Sequence, residues 1–366
     1  MESLERAVAK LFCVGFPGLE MPKGTRTLLE KGVTGVILFS RNFESAEQFA
    51  TLLASIKGSV DRPLLTSIDQ EGGRVRRLRG TPFTEIPSMR TVGRLGDEGV
   101  ARQVGRVLAR ELRAVNVDLD FAPVLDVDTN PQNPVIGDRS FGSDPEQVAR
   151  LGAALVEGMQ AEGVAACAKH FPGHGDTQKD SHLDLPRLPH GMKRLEAVEL
   201  FPFRHVVGKV ASIMTAHVVF ESLDPARPAT MSRAALDGIL RDRFGYEGVV
   251  ISDDLEMKAI ADHFGLEEAV VEGVLAGVDL FLVCHHEEVQ AKAIEHLVRA
   301  VRSGRVPEAR IAQACRRIDR LVERYVRPPV SPEALQVLGC DEHRRALAPL
   351  EPFAALQPTG SDPTAA

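Results

Sequence analysis

Eight short apolar runs rich in β-branched residues punctuate this chain, and most of the stretches between them have the length and periodicity of helices. The runs cover 11–16, 35–40, 64–69, 117–127, 164–170, 211–217, 248–254 and 278–284. Between them, SAEQFATLLASIK (45–57), DPEQVARLGAALVEGMQAEG (144–163) and LEEAVVEGVLAGV (266–278) repeat apolar residues every three or four positions. Strand alternating with helix implies a parallel sheet whose strands are apolar on both faces because helices cover both. Eight such units predict an α/β fold, a (β/α)8 TIM-like barrel forming a single catalytic domain, with an open doubly wound sheet as the rival plan.

The ends of the runs favour the barrel. Seven of the eight finish in polar residues: Arg41–Asn42, Asp69–Gln70–Glu71, Asp126 and Asp128, Lys169–His170, His217, Asp253–Asp254 and His285–His286. A barrel gathers the C-terminal ends of its strands at one mouth, where such enzymes keep their chemistry. At 366 residues, 44% of them apolar, the chain is long enough to bury that core. We expect the barrel over 1–326 and a C-terminal extension over 327–366, partly disordered, because Pro328, Pro329, Pro332 and the closing PTGSDPTAA are linker-like. That extension receives no function from its sequence.

Other classes are disfavoured by composition. The formal charge of −7 is spread along the chain without a basic block, so no nucleic-acid partner is expected. No run reaches the length of a membrane span, and the N-terminus does not read as a signal peptide, so no membrane partner is expected. Five cysteines at irregular spacings fit neither a disulfide framework nor a zinc finger. These features predict a cytoplasmic protein without cofactor or bound metal, acting as a monomer on a small molecule.

The densest chemistry is KHFPGHGDTQKDSH (169–182). After the fifth run, Lys169 and His170 would point into the mouth, while Pro172, Gly173 and Gly175 force a loop. Its end places Asp180 two residues from His182, and a carboxylate so placed can accept the Nδ1 proton and present Nε2 to a substrate. A solvated surface loop is the plainer alternative. Zinc is the sharper one, with His170, His174, His182, His217 and Asp253 as candidate ligands, although no HxH or HExxH spacing supports it. GVVISDDLEM (248–257) supplies a second group: one of Asp253 and Asp254 can attack a carbon or stabilise a cation, and strand alternation lets only one face the mouth. In SIDQEGGRVRRLRG (67–80), carboxylates and guanidinium groups around Gly72–Gly73 suit a polyhydroxylated ligand. A salt-bridged structural turn is the alternative there.

Taken together, DQEGGRV (69–75), DRSFGSDP (138–145), KHFPGHGDTQKDSH and GVVISDDLEM resemble glycoside hydrolase family 3, and within it the bacterial β-N-acetylglucosaminidases of the peptidoglycan-recycling (NagZ) type. The resemblance covers about residues 5 to 325. It implies that Asp253 is the nucleophile, His182 the acid/base and Asp180 its partner, and that Asp69, Arg77, Arg139, Lys169 and His170 bind sugar. The implied substrates are N-acetylglucosaminyl saccharides such as muropeptides, cleaved with retention through a glycosyl-enzyme. Phosphorolysis at the same site, a metal-dependent hydrolase and a non-catalytic sugar-binding barrel are the alternatives. Gly173 and Gly175 further suggest that the 171–182 segment swings His182 onto bound sugar.

Overall fold

The computed structural model describes residues 3–178, 184–354 and 362–364. Eight parallel strands close into a barrel in chain order: β1 (Phe12–Val14), β2 (Gly35–Leu38), β3 (Leu65–Ile68), β4 (Leu119–Asp120), β5 (Ala165–Phe171), β6 (Ser212–Thr215), β7 (Val249–Asp254) and β8 (Leu280–Val283). Closure is made by β1 lying between β2 and β8, with Cys13 opposite Gly35 and Leu282. The strands are buried throughout except at the mouth end of β7. Helices such as Ala46–Lys57, Glu98–Ala114, Pro145–Ala161 and Glu287–Arg302 cover the outer face. Ser45, Asp97 and Asp144 cap three of them by accepting backbone N–H groups of the first turn.

Two departures from the expected runs have local causes. The fourth run, expected over 117–127, is a strand only at Leu119–Asp120, with a single further bridge from Val124 to Lys169. Pro123 lacks the N–H that a central strand must donate, so the ladder cannot continue. A hairpin of Gln70–Gly72 against Val75–Arg76 follows β3 and turns at Gly72 and Gly73, whose φ values of 95° and 57° favour glycine. The Gln70 side chain pins it, accepting from the Arg77 and Leu78 amides and donating to the Leu78 carbonyl.

The linker-like segment after 327 carries short helical turns as far as residue 354. They pack on the outer helix Glu98–Ala114 because its buried Glu111 offers acceptors: His343 Nδ1 lies 2.9 Å from Glu111 Oε1, and the Gly339 amide donates to the same oxygen at 2.9 Å. All five cysteines are free, four of them buried and Cys340 half-buried in this extension. Among the described residues, no helix is long and apolar enough to cross a membrane.

Candidate active site

A cavity of about 470 Å³ opens at the C-terminal mouth of the barrel. Asp69, Arg77, Arg139, Lys169, His170 and Asp253, six of the eight residues expected to act, line it together. Asp180 and His182 lie outside the described residues.

Its polar wall is one charge network. Lys169 extends from β5 with its Nζ 2.7 Å from Asp69 Oδ1 and 2.6 Å from Glu71 Oε1. Arg139 grips Glu71 with two nearly parallel hydrogen bonds, Nε to Oε2 at 2.8 Å and Nη2 to Oε1 at 2.7 Å. Arg77, delivered by the hairpin, donates to Asp69 Oδ2 at 3.3 Å. An isolated buried ammonium costs several kcal/mol, so Lys169 persists there only because two carboxylates face it. Burial disfavours the Lys169 ammonium, but Asp69 and Glu71 outweigh burial and hold its pKa above the usual lysine value. Burial likewise pushes the Glu71 carboxyl up, and Arg139 with Lys169 overrides it, keeping Glu71 well below the usual carboxylate range. Asp120 beneath them behaves oppositely. Burial raises its pKa to about 8, and its Oδ2 has no hydrogen-bond partner while Oδ1 accepts the Gln70 amide at 2.8 Å. Burial thus favours the protonated, uncharged form of Asp120.

A second group organises the imidazoles. Buried Asp126 takes the His170 Nδ1 at 2.7 Å on one oxygen and the His174 amide at 2.7 Å on the other. Burial raises the Asp126 carboxyl, but His170 overrides that and holds it below the usual range. With Nδ1–H donated to a carboxylate, His170 keeps Nε2 for a ligand. His174 is different: burial, then the neighbouring His170, pulls its pKa to about 4, and its Nδ1 lies 2.8 Å from Thr177 Oγ1. It is a neutral, structural histidine at working pH. His217 is also engaged, Nδ1 with Thr230 Oγ1 at 2.8 Å and Nε2 with the Asp254 carbonyl at 2.9 Å. Among the described residues, no group of three or more His, Cys, Asp or Glu side chains is arranged to hold a metal ion.

At β7 the expectation that only one of two adjacent aspartates reaches the mouth fails. Asp253 and Asp254 both line the cavity. The register of β7 against β8 shifts between Ile251 and Asp254, which breaks the strict alternation of faces. Their environments nevertheless separate them. Asp254 spends Oδ1 on the Cys284 and Glu256 amides and Oδ2 on His285 Nε2 at 3.1 Å. Asp253, partly exposed, takes the Asp254 amide on Oδ1 at 2.8 Å. Asp254 is the braced carboxylate, and Asp253 is the more exposed of the two.

The flanks of the 179–183 segment are anchored. Asp176 Oδ2 lies 2.6 Å from His190 Nε2, joining the two sides of the loop at its base, and Asp176 Oδ1 accepts from Thr129. Gly175 packs so closely that a Cβ there would sit 1.9 Å from the Val127 carbonyl oxygen. On the far side, Asp184 accepts from His263 Nε2 at 3.0 Å, nine residues after Asp254. These contacts fix the segment at Gly175 and Asp176 on one side and at Asp184 on the other.

Sequence reasoning passed over several contributors. Phe39 and His285 form part of the wall with ring centroids 5.6 Å apart, and Arg41 stacks over Phe39 at 4.1 Å. The polar run ends signalled Arg41 and His285, but nothing signalled Phe39. Pro363 and Thr364, from the tail without assigned function, also line the cavity, and Arg77 Nη1 donates to Asp362 Oδ2 at 2.5 Å.

The family model described as glycosyl hydrolase family 3 N terminal domain matches residues 3–321. A β-hexosaminidase of Alkalilimnicola ehrlichii is 43% identical over 292 residues, covering 78% of this chain and 83% of its own. One from Thiobacillus denitrificans is 44% identical over 279 residues, covering 74% and 77%. Among solved structures, a family 3 β-N-acetylglucosaminidase from a Paenibacillus superposes with a TM-score of 0.92 at 42% identity, over 96% of this chain and 69% of that one. NagZ from Neisseria gonorrhoeae in complex with N-trifluoroacetyl-D-glucosamine gives 0.78 at 36% identity, over 94% and 98%.

Proposed function

The chain belongs to glycosyl hydrolase family 3 and is a β-N-acetylhexosaminidase of that family, and from this premise we propose that it removes non-reducing terminal β-linked N-acetylglucosamine from peptidoglycan fragments with retention of configuration. The observation that carries the reading is a single cavity in which Asp253 faces the Asp69, Arg77, Arg139, Lys169 and His170 wall. That wall offers charged donors and acceptors in fixed positions, which suits the ring hydroxyls of a sugar.

Asp253 attacks the anomeric carbon while His182, protonated and oriented by Asp180, donates to the departing glycosidic oxygen. Water then attacks the anomeric carbon while the same imidazole, now neutral, takes its proton; the bond to Asp253 breaks, and the free sugar and the Asp253 carboxylate are released. A histidine titrates near 6.5, so both roles are open to it around neutrality, whereas an unshifted carboxyl at about 4.3 would be almost fully ionised. A neutral base also tolerates an incoming anion, so phosphate is the acceptor to test beside water. The five free cysteines support a cytoplasmic setting.

The test is His182→Ala assayed on N-acetylglucosaminyl-anhydromuramic disaccharide and on an aryl N-acetylglucosaminide, each with and without phosphate. Cleavage of the disaccharide should fall far more than that of the aryl sugar, whose leaving group needs no proton. Equal loss on both removes the acid role, and a sugar 1-phosphate product would reassign the enzyme as a phosphorylase.

A further inference from the structure

Inside the sugar cavity the chain meets itself. Asp362, Pro363 and Thr364 form a tight turn in which the Thr364 amide and hydroxyl both donate to Asp362 Oδ1, at 2.9 and 2.8 Å. The turn presents two remaining polar atoms to one guanidinium: Arg77 Nη1 donates to Asp362 Oδ2 at 2.5 Å and Nη2 to Thr364 Oγ1 at 2.8 Å. Arg79, on the exposed rim, approaches the same carboxylate oxygen at 3.5 Å. The contact is enclosed, with the Arg77 side chain 2% and that of Asp362 6% exposed.

An acidic turn fits the Arg77 side of the wall. Lys169 and Arg139 share Glu71, and Lys169 also takes Asp69, whereas Arg77 meets Asp69 alone among the wall carboxylates, at 3.3 Å, and Asp362 is the second carboxylate it meets. A carboxylate oxygen beside a hydroxyl also imitates the spaced oxygens that a sugar ring would offer the same guanidinium.

We propose that Arg77 and Arg79 form a subsite for a carboxylate with an adjacent hydroxyl, that the Asp362-Pro363-Thr364 turn fills it in the resting protein, and that the tail thereby competes with substrate. The proposal rests on the reading of this cavity as the sugar site. Substrate must displace the turn, so apparent affinity is reduced by the fraction of molecules in which the subsite is free. The tail is an intramolecular competitor, and its high effective concentration lets a contact of modest strength matter.

The experiment uses the full chain carrying Asp362→Ala, with 4-nitrophenyl N-acetyl-β-D-glucosaminide as substrate. The variant should show a KM lower by about three- to tenfold with kcat unchanged. The peptide Gly-Ser-Asp-Pro-Thr should inhibit the variant competitively. An unchanged or raised KM in Asp362→Ala, or no inhibition by the peptide, overturns the proposal. Should neither protein cleave the aryl sugar, the hexosaminidase reading falls, and the tail is judged separately by proteinase K digestion followed by mass spectrometry. Faster cutting of the tail in Asp362→Ala than in the parent then upholds the contact, and equal rates overturn it.

Discussion

The two ends of the barrel both bury charge, and they use it differently. At the N-terminal ends of the strands, Asp118 and Asp279 are fully buried and saturated by the chain's own groups. Asp118 takes Lys57, Arg113 and Thr66, and Asp279 takes Arg241, Arg310, Arg317 and the Val250 amide. Those bonds tie helices to strands. At the C-terminal ends, Lys169, Arg77 and His170 are equally buried but border an open cavity, and Asp253 projects into it partly exposed. Charge whose partners are all internal holds a fold, whereas charge left facing a cavity is kept for a ligand.

Four substitutions would break or sharpen this contrast. Asp253→Asn should reduce kcat on an aryl N-acetylglucosaminide by about 10⁴-fold or more while thermal unfolding stays in place. Retained activity would mean that the cavity-facing carboxylate is not the nucleophile. At the other end, Asp279→Ala leaves three guanidinium groups without their shared partner, and denaturant titration should register a loss of about 3–5 kcal/mol with kcat/KM per folded molecule unaltered. A selective fall in activity there would blur the division between the ends. Arg139→Lys keeps the charge but cannot make the paired bonds to Glu71, so kcat/KM should drop about tenfold with little change in stability.

The last effect concerns pH. Asp120, raised to about 8 from 3.8, lets the folded chain hold one proton more than the unfolded chain between those values. Its contribution to stability is therefore greatest at the acid end of that window and is lost as pH rises through about 8. Asp120→Asn should remove that slope, so the stability of the parent relative to the variant should decline by on the order of 1 kcal/mol per pH unit between about pH 5 and 7.5. Parallel pH profiles would show that Asp120 is ionised in the fold.

Much of this arrangement is legible in the sequence because periodicity and strand-end polarity are local. The eight runs are recovered as eight strands, and Asp69, Lys169, His170 and Asp253 converge because each ends a strand. What escaped is decided by contacts between distant segments. Glu71 and Asp126 are signalled only as polar residues at run ends; their partners Arg139 and His170 reach them from 68 and 44 residues away in the chain. That Asp253 and Asp254 both line the cavity depends on a register shift that no alternation rule anticipates. The proline-rich segment after 327 reads as linker because its partner, Glu111, sits on a helix some two hundred residues earlier, as the Glu111–His343 separation of 232 shows. Its last described residues acquire a place in the site through Arg77 and Arg79.

The distribution of thiols has a practical consequence. Burial pushes the Cys13 and Cys167 thiols up to about 12, and Cys284 also rises well above its ordinary value, so these sulfurs stay protonated and unreactive inside the barrel. Cys315 is buried as well, which leaves Cys340 as the sulfur a maleimide meets first. The molecule thus carries a natural attachment point on its C-terminal extension, remote in sequence from Asp253, where a fluorophore or spin label can be hung without engineering a cysteine.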